Sequence, residues 1–255
     1  MSYKSTLSAK KKEELYKSVI PIASEFRNRF LDKDRPIKNT FETLEQLGYF
    51  IVRFPTHDSL SGFHIKKGNY DCIFVNSSHS LGRQYFSAWH ECYHAYTRDG
   101  GGISLRDDIK YDETEYKAEC FAGCILMPEE LVKDYIDKHI SDLTYISYEE
   151  LIIMQNFFRV SFSALITRLI QLFPQYKQAL SNRYPLSKPN NAHRLLELTR
   201  KVEGDLSLIQ PTNDFSVSQK FYERLHDNLQ MGRITVEKAQ AVLEFLESVR
   251  DKYES

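Results

Sequence analysis

Two histidines four residues apart, His90 and His94, are the side chains of this sequence best placed to do chemistry. On a helix this spacing puts both imidazoles on one face, one turn apart, where they can occupy two corners of a tetrahedral zinc site. Glu91 lies about 100° around the helix from His90, so its carboxylate falls beside the metal rather than on it. The His-Glu-x-x-His pattern therefore predicts water activation by zinc, with Glu91 as the general base.

Two histidines leave a zinc ion short of a protein ligand, and a later acidic segment offers one. Glu115 and Glu119 are also four residues apart and would share a helical face. Glu115 is the candidate third ligand, and Glu119 is the candidate acceptor for the N–H of a ligand histidine. Both could equally be exposed carboxylates at an acidic helix start, where negative charge is favourable. The spacing alone leaves these two alternatives open.

The elements that must position these side chains follow from apolar periodicity. Helical spacing predicts helices over about 9–31, 40–48, 80–96, 112–139, 147–157, 161–173, 217–229 and 235–253. Pro128 would either kink the fourth of these or open a new segment, and the glycine-rich stretch 99–102 would end the metal helix. Three runs with strand character are predicted at 49–54, 62–66 and 70–76. We expect an α+β fold with a small, mostly antiparallel sheet beside the two metal-binding helices, and a C-terminal helical extension.

The bulk composition excludes several classes of protein. Of the 255 residues, 42% are apolar and 27% are charged, as in an ordinary folded chain, so no metal is needed merely for folding. The formal net charge of -1 gives no global attraction to nucleic acid or to an anionic membrane. No apolar run approaches the ~20 residues that span a bilayer, and residues 1–15 lack the apolar stretch of a secretory signal. Because that signal is lacking, the four cysteines are not expected to form disulfides, and the sequence predicts a cytoplasmic location.

Several segments around the histidines match one known pattern. They are the motif at residues 90–94, the Glu-x-x-Ala-x-x-Phe-Ala run that begins at Glu115, and Leu126-Met127-Pro128. Further matching segments are 47–52, 61–63, 73–76, 83–89 and 160–169. Together they resemble the ImmA/IrrE family of metallopeptidases over roughly residues 15–175. Tyr93 departs from the glycine usual in the family, and Glu119 departs from the usual Asn or Asp.

The resemblance implies a ligand set and a reaction. His90, His94 and Glu115 would bind the metal in a zincin-like helical core, while Glu91 acts as base and then as proton donor to the leaving amine. Glu119 would support a ligand histidine. The implied cofactor is Zn²⁺, although Mn²⁺ and Co²⁺ suit the same ligands. Relatives in mobile elements and prophages cleave a helix-turn-helix repressor, so the resemblance implies a site-specific regulatory protease with such a repressor as its partner.

A peptidase of this kind also needs a hydrogen-bond donor for the oxyanion that forms during hydrolysis. Five residues near the motif are candidates, and their spacing favours none of them: Tyr93, Tyr96, His64, Tyr111 and Arg98.

Apart from His64 as an oxyanion candidate, the remaining cysteines and histidines are expected to have no chemical role. Cys92 lies about 200° around the helix from His90 and should face the core, and Cys120 and Cys124 are expected to pack there too. The other histidines are predicted to lie at the surface or in loops; they are His57, His64, His79, His139, His193 and His226.

The chain divides into two predicted regions joined by a proline-containing linker at 187–191. Residues 1–180 would form the metallopeptidase domain, and residues 190–255 would form a helical region of unknown role and unknown contribution to oligomeric state. The segment 147–173 has the shape of a degenerate helix-turn-helix, but it offers few cationic or amide side chains for reading bases. We expect it to pack beneath the metal helices, and direct nucleic-acid binding is not expected. The alternative function is a non-catalytic, metal-containing regulator that acts through its C-terminal helices.

Overall fold

The computed structural model describes residues 7–98 and 113–254. Within these residues the helices are α1 (Ala9–Phe30), α2 (Thr40–Gln46), α3 (Leu81–Thr97), α4 (Glu113–Leu126), α5 (Glu129–His139), α6 (Tyr148–Phe158), α7 (Phe162–Leu172), α8 (Lys177–Ser181), α9 (Ala192–Lys201), α10 (Gln219–Gln230) and α11 (Val236–Glu254). The strands are β1 (Phe50–Phe54), β2 (Gly62–Lys67), β3 (Tyr70–Asn76) and β4 (Ser216–Val217). Short 3-10 helices occupy Pro174–Tyr176, Tyr184–Ser187, Pro189–Asn191 and Leu206–Leu208. The predicted break at 99–102, the predicted helix start at Asp112 and the oxyanion candidate Tyr111 lie outside the described residues.

The four strands form one mixed sheet in the order β2-β3-β1-β4. β2 pairs with β3 and β4 pairs with β1 in the antiparallel sense, while β1 and β3 run parallel. The expected α+β fold with a mostly antiparallel sheet is therefore confirmed. β2 lies at one edge of this sheet, next to the metal helix α3, which contacts both β2 and β3.

Helix α3 lies at the centre of the molecule because its apolar side chains meet three neighbours at once. Trp89 is fully buried, and its indole N–H donates to the hydroxyl of Thr40 on α2 at 3.1 Å. Phe26 of α1 packs edge-to-face against both Trp89 and Phe121 of α4. These aromatic contacts hold α1, α3 and α4 together, and so fix the helix that bears the histidines against the helix that bears Glu115.

Pro128 resolves the uncertainty about the long helix predicted at 112–139. The chain leaves α4 at Leu126, and Pro128 stands as the N-cap of α5 with φ -61° and ψ 145°. Because proline has no N–H and disfavours helix in the residue before it, α4 cannot run on into α5. Pro128 therefore opens a new helix.

Residues beyond 190 join the sheet through β4, a strand that the sequence analysis did not predict. The N–H of Ser218 donates to the carbonyl of Ile51 at 2.8 Å, and the Arg53 guanidinium pairs with Asp214 at 2.7 Å. The buried amide of Gln84 on α3 also donates to the hydroxyl of Thr212 at 2.8 Å. These contacts connect the segment after α9 to the sheet and to the metal helix. The domain boundary drawn at residue 190 stays a prediction.

The minor expectations about cysteine and histidine are partly confirmed. All four cysteines are free thiols, and Cys92, Cys120 and Cys124 are buried in the core, as predicted. The prediction of a surface or loop position is wrong for His64, which is buried within a strand, and it is confirmed for His79, which lies in the loop between β3 and α3 although it is buried there. His64 is buried because it lies on β2, where its Nε2 is 2.8 Å from the carboxylate of Asp71. No helix in 7–98 or 113–254 has the length and apolarity to cross a membrane.

Candidate metal centre and active site

Helix α3 presents His90, Glu91 and His94 from its C-terminal half, before the chain leaves the helix at Arg98 in the left-handed conformation. The two imidazole rings lie one turn apart with centroids 5.0 Å from each other, and their Nε2 atoms are 3.2 Å apart. The His94 side chain is 6% exposed and the His90 side chain 14% exposed. The predicted pairing of the two histidines on one helical face is therefore present in the structure.

Helix α4 brings Glu115 to the same point from the opposite side. One carboxylate oxygen lies 3.1 Å from His90 Nε2, and the other lies 3.4 Å from His94 Nε2. The possible ligand atoms of the three residues all lie within 4.8 Å of one another. Of the two alternatives that spacing left open for Glu115, the structure therefore shows the carboxylate turned towards the histidines, with only 22% of its side chain exposed.

These distances fit a metal ion in the space between the three groups. Ligand atoms around a tetrahedral zinc with bonds of 2.0–2.2 Å stand about 3.3–3.6 Å apart. The observed separations of 3.1, 3.2 and 3.4 Å are close to that range. Two imidazole nitrogens that face each other beside a carboxylate can share either a proton or a metal ion. With three protein ligands, a fourth coordination position remains for water or substrate.

The electrostatics of the cluster favour positive charge at its centre. Burial opposes protonation of His90, but the hydrogen bond to Glu115 and the charges of Glu91, Glu115 and Glu119 outweigh it and raise the pKa of His90 to about 9. Burial also opposes ionisation of Glu115, yet its hydrogen bond with His90 and the charges of both histidines give Glu115 a lowered pKa. A divalent cation at this position would be stabilised by the same negative charges that otherwise hold a proton on His90.

Glu91, which is also on α3, lies beside the three candidate ligands and is buried against the sheet. It is 4% exposed, and burial, opposed by the charge of His90 and aided by that of Glu115, raises the pKa of Glu91 to about 7. A carboxyl group with a pKa near neutrality can both accept and donate a proton at working pH. This is the property that a general base needs if it must later act as a general acid.

Gly62, the first residue of β2, allows the sheet to approach Glu91 this closely. A Cβ atom at this position would lie 2.8 Å from the carbonyl oxygen of Phe74 and 3.3 Å from Cγ of Glu91. Any larger residue would therefore push β2 away from α3 or displace the Glu91 side chain. The sequence pattern signalled this glycine only through the family resemblance; its contact with Glu91 comes from the structure.

Asn76 positions the loop that leads into β2, a role that sequence reasoning missed. Its side chain is fully buried at the end of β3. The amide nitrogen donates to the carbonyls of Leu60 and His57 at 2.8 and 3.1 Å, and the amide oxygen accepts from the N–H groups of Thr56 and Ser78 at 3.0 and 2.9 Å. These four bonds fix the segment from Thr56 to Leu60, and so the entry of β2 at Gly62.

The other residues proposed for the site fall in different environments. Glu119 lies one turn after Glu115 on α4 with an exposed side chain, and its charge contributes to the raised pKa of His90. Its predicted hydrogen bond to a ligand histidine stays a prediction. Tyr93 is buried against the rings of His94 and Phe121, while Tyr96 packs edge-to-face on Phe26 and Phe30 of α1.

His64 is the oxyanion candidate that lies on β2, the strand that also carries Gly62 beside Glu91. It lies two positions after Gly62 on β2, so both residues are on the same face of the strand. The Nδ1 atom of His64 is buried and makes no hydrogen bond with the described residues. Arg98, in contrast, ends α3 as its left-handed cap.

Comparison with known proteins agrees with this geometry. Residues 44–169 match the Peptidase_M78 family model, which is described as the IrrE N-terminal-like domain. The matched segment begins in α2, runs through the first three strands and α3, and ends in α7, so it contains every residue of the candidate site. A search of curated proteins found no match to the chain. Residues 44–169 place this chain in the ImmA/IrrE family of metallopeptidases.

Proposed function

We propose that this chain is a zinc-dependent endopeptidase that cleaves a specific protein, a helix-turn-helix transcriptional repressor. The observation that supports the proposal most strongly is the convergence of His90, His94 and Glu115 from two helices, with Glu91 beside them. The same ligands suit Mn²⁺ and Co²⁺, and zinc is proposed because two imidazoles and one carboxylate are a common catalytic zinc set.

Each side chain of the cluster has a distinct task in this proposal. A bound zinc ion would supply Lewis-acid activation of a water molecule and of the scissile carbonyl. His90, His94 and Glu115 would hold the ion. The carboxylate of Glu91 would take a proton from the attacking water, hold it in its buried position beside Gly62, and deliver it to the leaving amine. The raised pKa of Glu91, about 7, suits both steps.

The edge strand β2 offers a place for the substrate backbone. Within the described residues β2 pairs only with β3, so the backbone groups on its other side can pair with an extended peptide. A peptide bound there would lie close to Gly62 and therefore to Glu91. This arrangement would favour a substrate segment that is extended or can unfold locally.

A repressor target and a cytoplasmic location belong to the proposal and rest on the family resemblance, the free cysteines and the near-zero net charge. The burial of α7 argues against DNA binding through that helix. Phe162, Leu165, Ile166, Arg168 and Leu169 are all buried, and Thr167 is the one residue of that helix that is exposed. A helix buried on this scale has few side chains to offer a DNA groove.

The direct test uses the purified chain, zinc and the repressor encoded beside its gene. Wild type is expected to cut the repressor at one site, and Glu91→Gln is expected to reduce the rate by about 10²–10⁴-fold, the usual contribution of a general base. Glu244→Gln, the same substitution on the exposed surface of α11, is the control and should cleave at the wild-type rate. Equal cleavage by Glu91→Gln, or no cleavage by wild type, would contradict the proposal.

A second candidate function is a non-catalytic regulator that contacts a partner through α10 and α11. The observation in its favour is the group of large apolar side chains that these helices expose, among them Met231 at 63%, Val236 at 55% and Phe245 at 64%. This candidate predicts that Glu91→Gln keeps the biological phenotype, whereas removal of residues 219–255 abolishes it. The opposite pattern would support the peptidase.

A further inference from the structure

A cavity of about 340 Å³ lies between α1, α7 and the junction of α4 and α5, away from the metal centre. It reaches Cys124, nine residues after Glu115 along α4, which corresponds to about 13 Å of helix. Two arginines, Arg27 of α1 and Arg168 of α7, line it, and each is only 4% exposed. Neither residue takes part in the candidate active site.

Both guanidinium groups are hydrogen-bonded, but only to uncharged partners. Arg27 donates to the backbone carbonyls of Ile125, Asp32 and Arg35. Arg168 donates to the carbonyl of Met127 at 3.0 Å, and to the side-chain oxygens of Tyr16 and Gln171 at 2.9 and 2.6 Å. In the described part of the chain, neither Arg27 nor Arg168 forms an ion pair with a carboxylate, and the ion pairs that arginine makes belong to other arginine residues.

Two buried positive charges without a directly paired carboxylate are costly, because burial removes most of their hydration. Burial accordingly lowers the pKa of Arg27, although the charges of Asp32 and Glu130 oppose this. The C-terminal carbonyls of α4 that the two arginines contact offset part of their positive charge. A purely structural role in capping α4 accounts for the hydrogen bonds but gives neither guanidinium group a directly bound anion.

The acidic residues around the cavity lie at its mouth rather than its floor. Asp34 and Glu130 are exposed, and Glu129 is paired with Lys133 at 2.6 Å. The first turn of α5 also faces this region, since Pro128 and Glu129 line the cavity and the N-cap Pro128 makes no side-chain hydrogen bond to the helix. The N–H groups of such a turn, on a helix of 11 residues, favour anions.

We propose that this cavity binds a small phosphorylated molecule, with Arg27 and Arg168 as the groups that contact its phosphate. A phosphate monoester carries about -1.5 to -2 charges at pH 7 and would supply the directly bound anion that the described residues do not give the two guanidinium groups. Each guanidinium group uses three of its five N–H donors in the bonds above, so N–H groups remain on both arginines to donate charge-assisted hydrogen bonds to a phosphate. The remaining volume can hold an organic portion, because small-molecule sites are typically 300–1,000 Å³. The proposal is independent of the peptidase activity.

The test is isothermal titration calorimetry of the zinc-loaded full chain with inorganic phosphate, and separately with ribose 5-phosphate. We expect saturable 1:1 binding with a Kd below about 1 mM for at least one of them. Tighter binding of the ester would show that the organic portion also occupies the cavity, whereas equal binding would identify the phosphate alone as the ligand. Failure of both to bind would overturn the proposal.

Two matched variants on α1 distinguish the cavity from any other phosphate site, the metal centre included. Ser24 is exposed at the cavity and lies one turn before Arg27, so Ser24→Glu places a carboxylate near the guanidinium groups without disturbing the core. This variant should weaken phosphate binding at least about tenfold. Ser18→Glu adds the same charge to α1 at an exposed position outside the cavity, and should bind as wild type does. Unchanged binding by Ser24→Glu would place the phosphate elsewhere and contradict the proposal.

Discussion

Helices α3 and α10 show how differently two parts of this chain are held in place. Ten of the seventeen residues of α3 are buried, whereas no residue of α10 is buried. Its neighbour α11 buries Ala239 and stacks Tyr253 on Phe54 of β1, with ring centroids 5.1 Å apart. The metal-site half is therefore fixed by dense packing, and the C-terminal helices are fixed by a few contacts.

Because of this difference, residues in the densely packed half can hold a metal ion in position to within tenths of an ångström, and residues of the C-terminal helices cannot. The contacts among Trp89, Phe26 and Phe121 fix α3 against α4. The two imidazoles and the carboxylate of the candidate metal centre therefore lie close together before a metal binds. The C-terminal helices expose apolar side chains instead, and tolerate change. The predictions below test this contrast from its largest expected effect to its smallest.

The same substitution should have very different effects on stability in the two regions. Phe158→Ala in α6 removes a fully buried ring, and should lower the free energy of unfolding by about 3–5 kcal/mol. Phe245→Ala in α11 removes a ring that is 64% exposed, and should change it by no more than about 0.5 kcal/mol. Urea unfolding of both variants measures this difference. Similar losses for the two would show that α11 belongs to the same packed core.

Replacement of Gly62 should affect catalysis without removing the metal. Gly62→Ala brings a methyl group against the Phe74 carbonyl and against Glu91, so the general base moves and kcat/KM should fall about 10–100-fold while zinc content is unchanged. Gly123→Ala in α4 is the control, since its added Cβ meets only Arg168 Cδ at 3.9 Å. Wild-type activity of Gly62→Ala would show that Glu91 is not confined by β2.

Zinc binding should release protons, because the metal and a proton compete for His90. With a pKa of about 9, His90 is protonated at pH 7.5 in the metal-free protein, so close to one proton should leave on binding. The apparent zinc affinity should therefore fall roughly tenfold for each pH unit below 9. Calorimetry in two buffers of different ionisation enthalpy measures the release. No release at pH 7.5 would contradict the charge state derived for the cluster.

The sequence was most informative where function and packing impose the same periodicity. The helix around His90 and His94, the three main strands and the burial of Cys92 were all predicted, since each combines apolar spacing with a turn or motif signal. Strand β4 was missed because two residues carry no periodic signal. His64 was wrongly assigned to the surface or a loop because histidine has no burial preference strong enough to override its neighbours.

The site itself was only partly accessible to sequence reasoning. Spacing within one helix predicted that His90 and His94 face the same way, but Glu115 comes from a second helix, and its direction depends on how α1, α3 and α4 pack. The roles of Gly62 and Asn76 depend on contacts across the sheet and the adjoining loop, which no local pattern encodes. Long-range geometry therefore marks the limit of what could be predicted.

Metal analysis of matched carboxylate variants tests the central claim most directly. Wild type is expected to bind one zinc ion per chain, and Glu115→Ala should lose at least about 100-fold in zinc affinity, since loss of a supporting residue alone costs 10–100-fold. Glu113→Ala, which removes an exposed carboxylate from the same helix, should bind zinc as wild type does. Equal zinc content and affinity in all three proteins would contradict a metal centre built by α3 and α4 together.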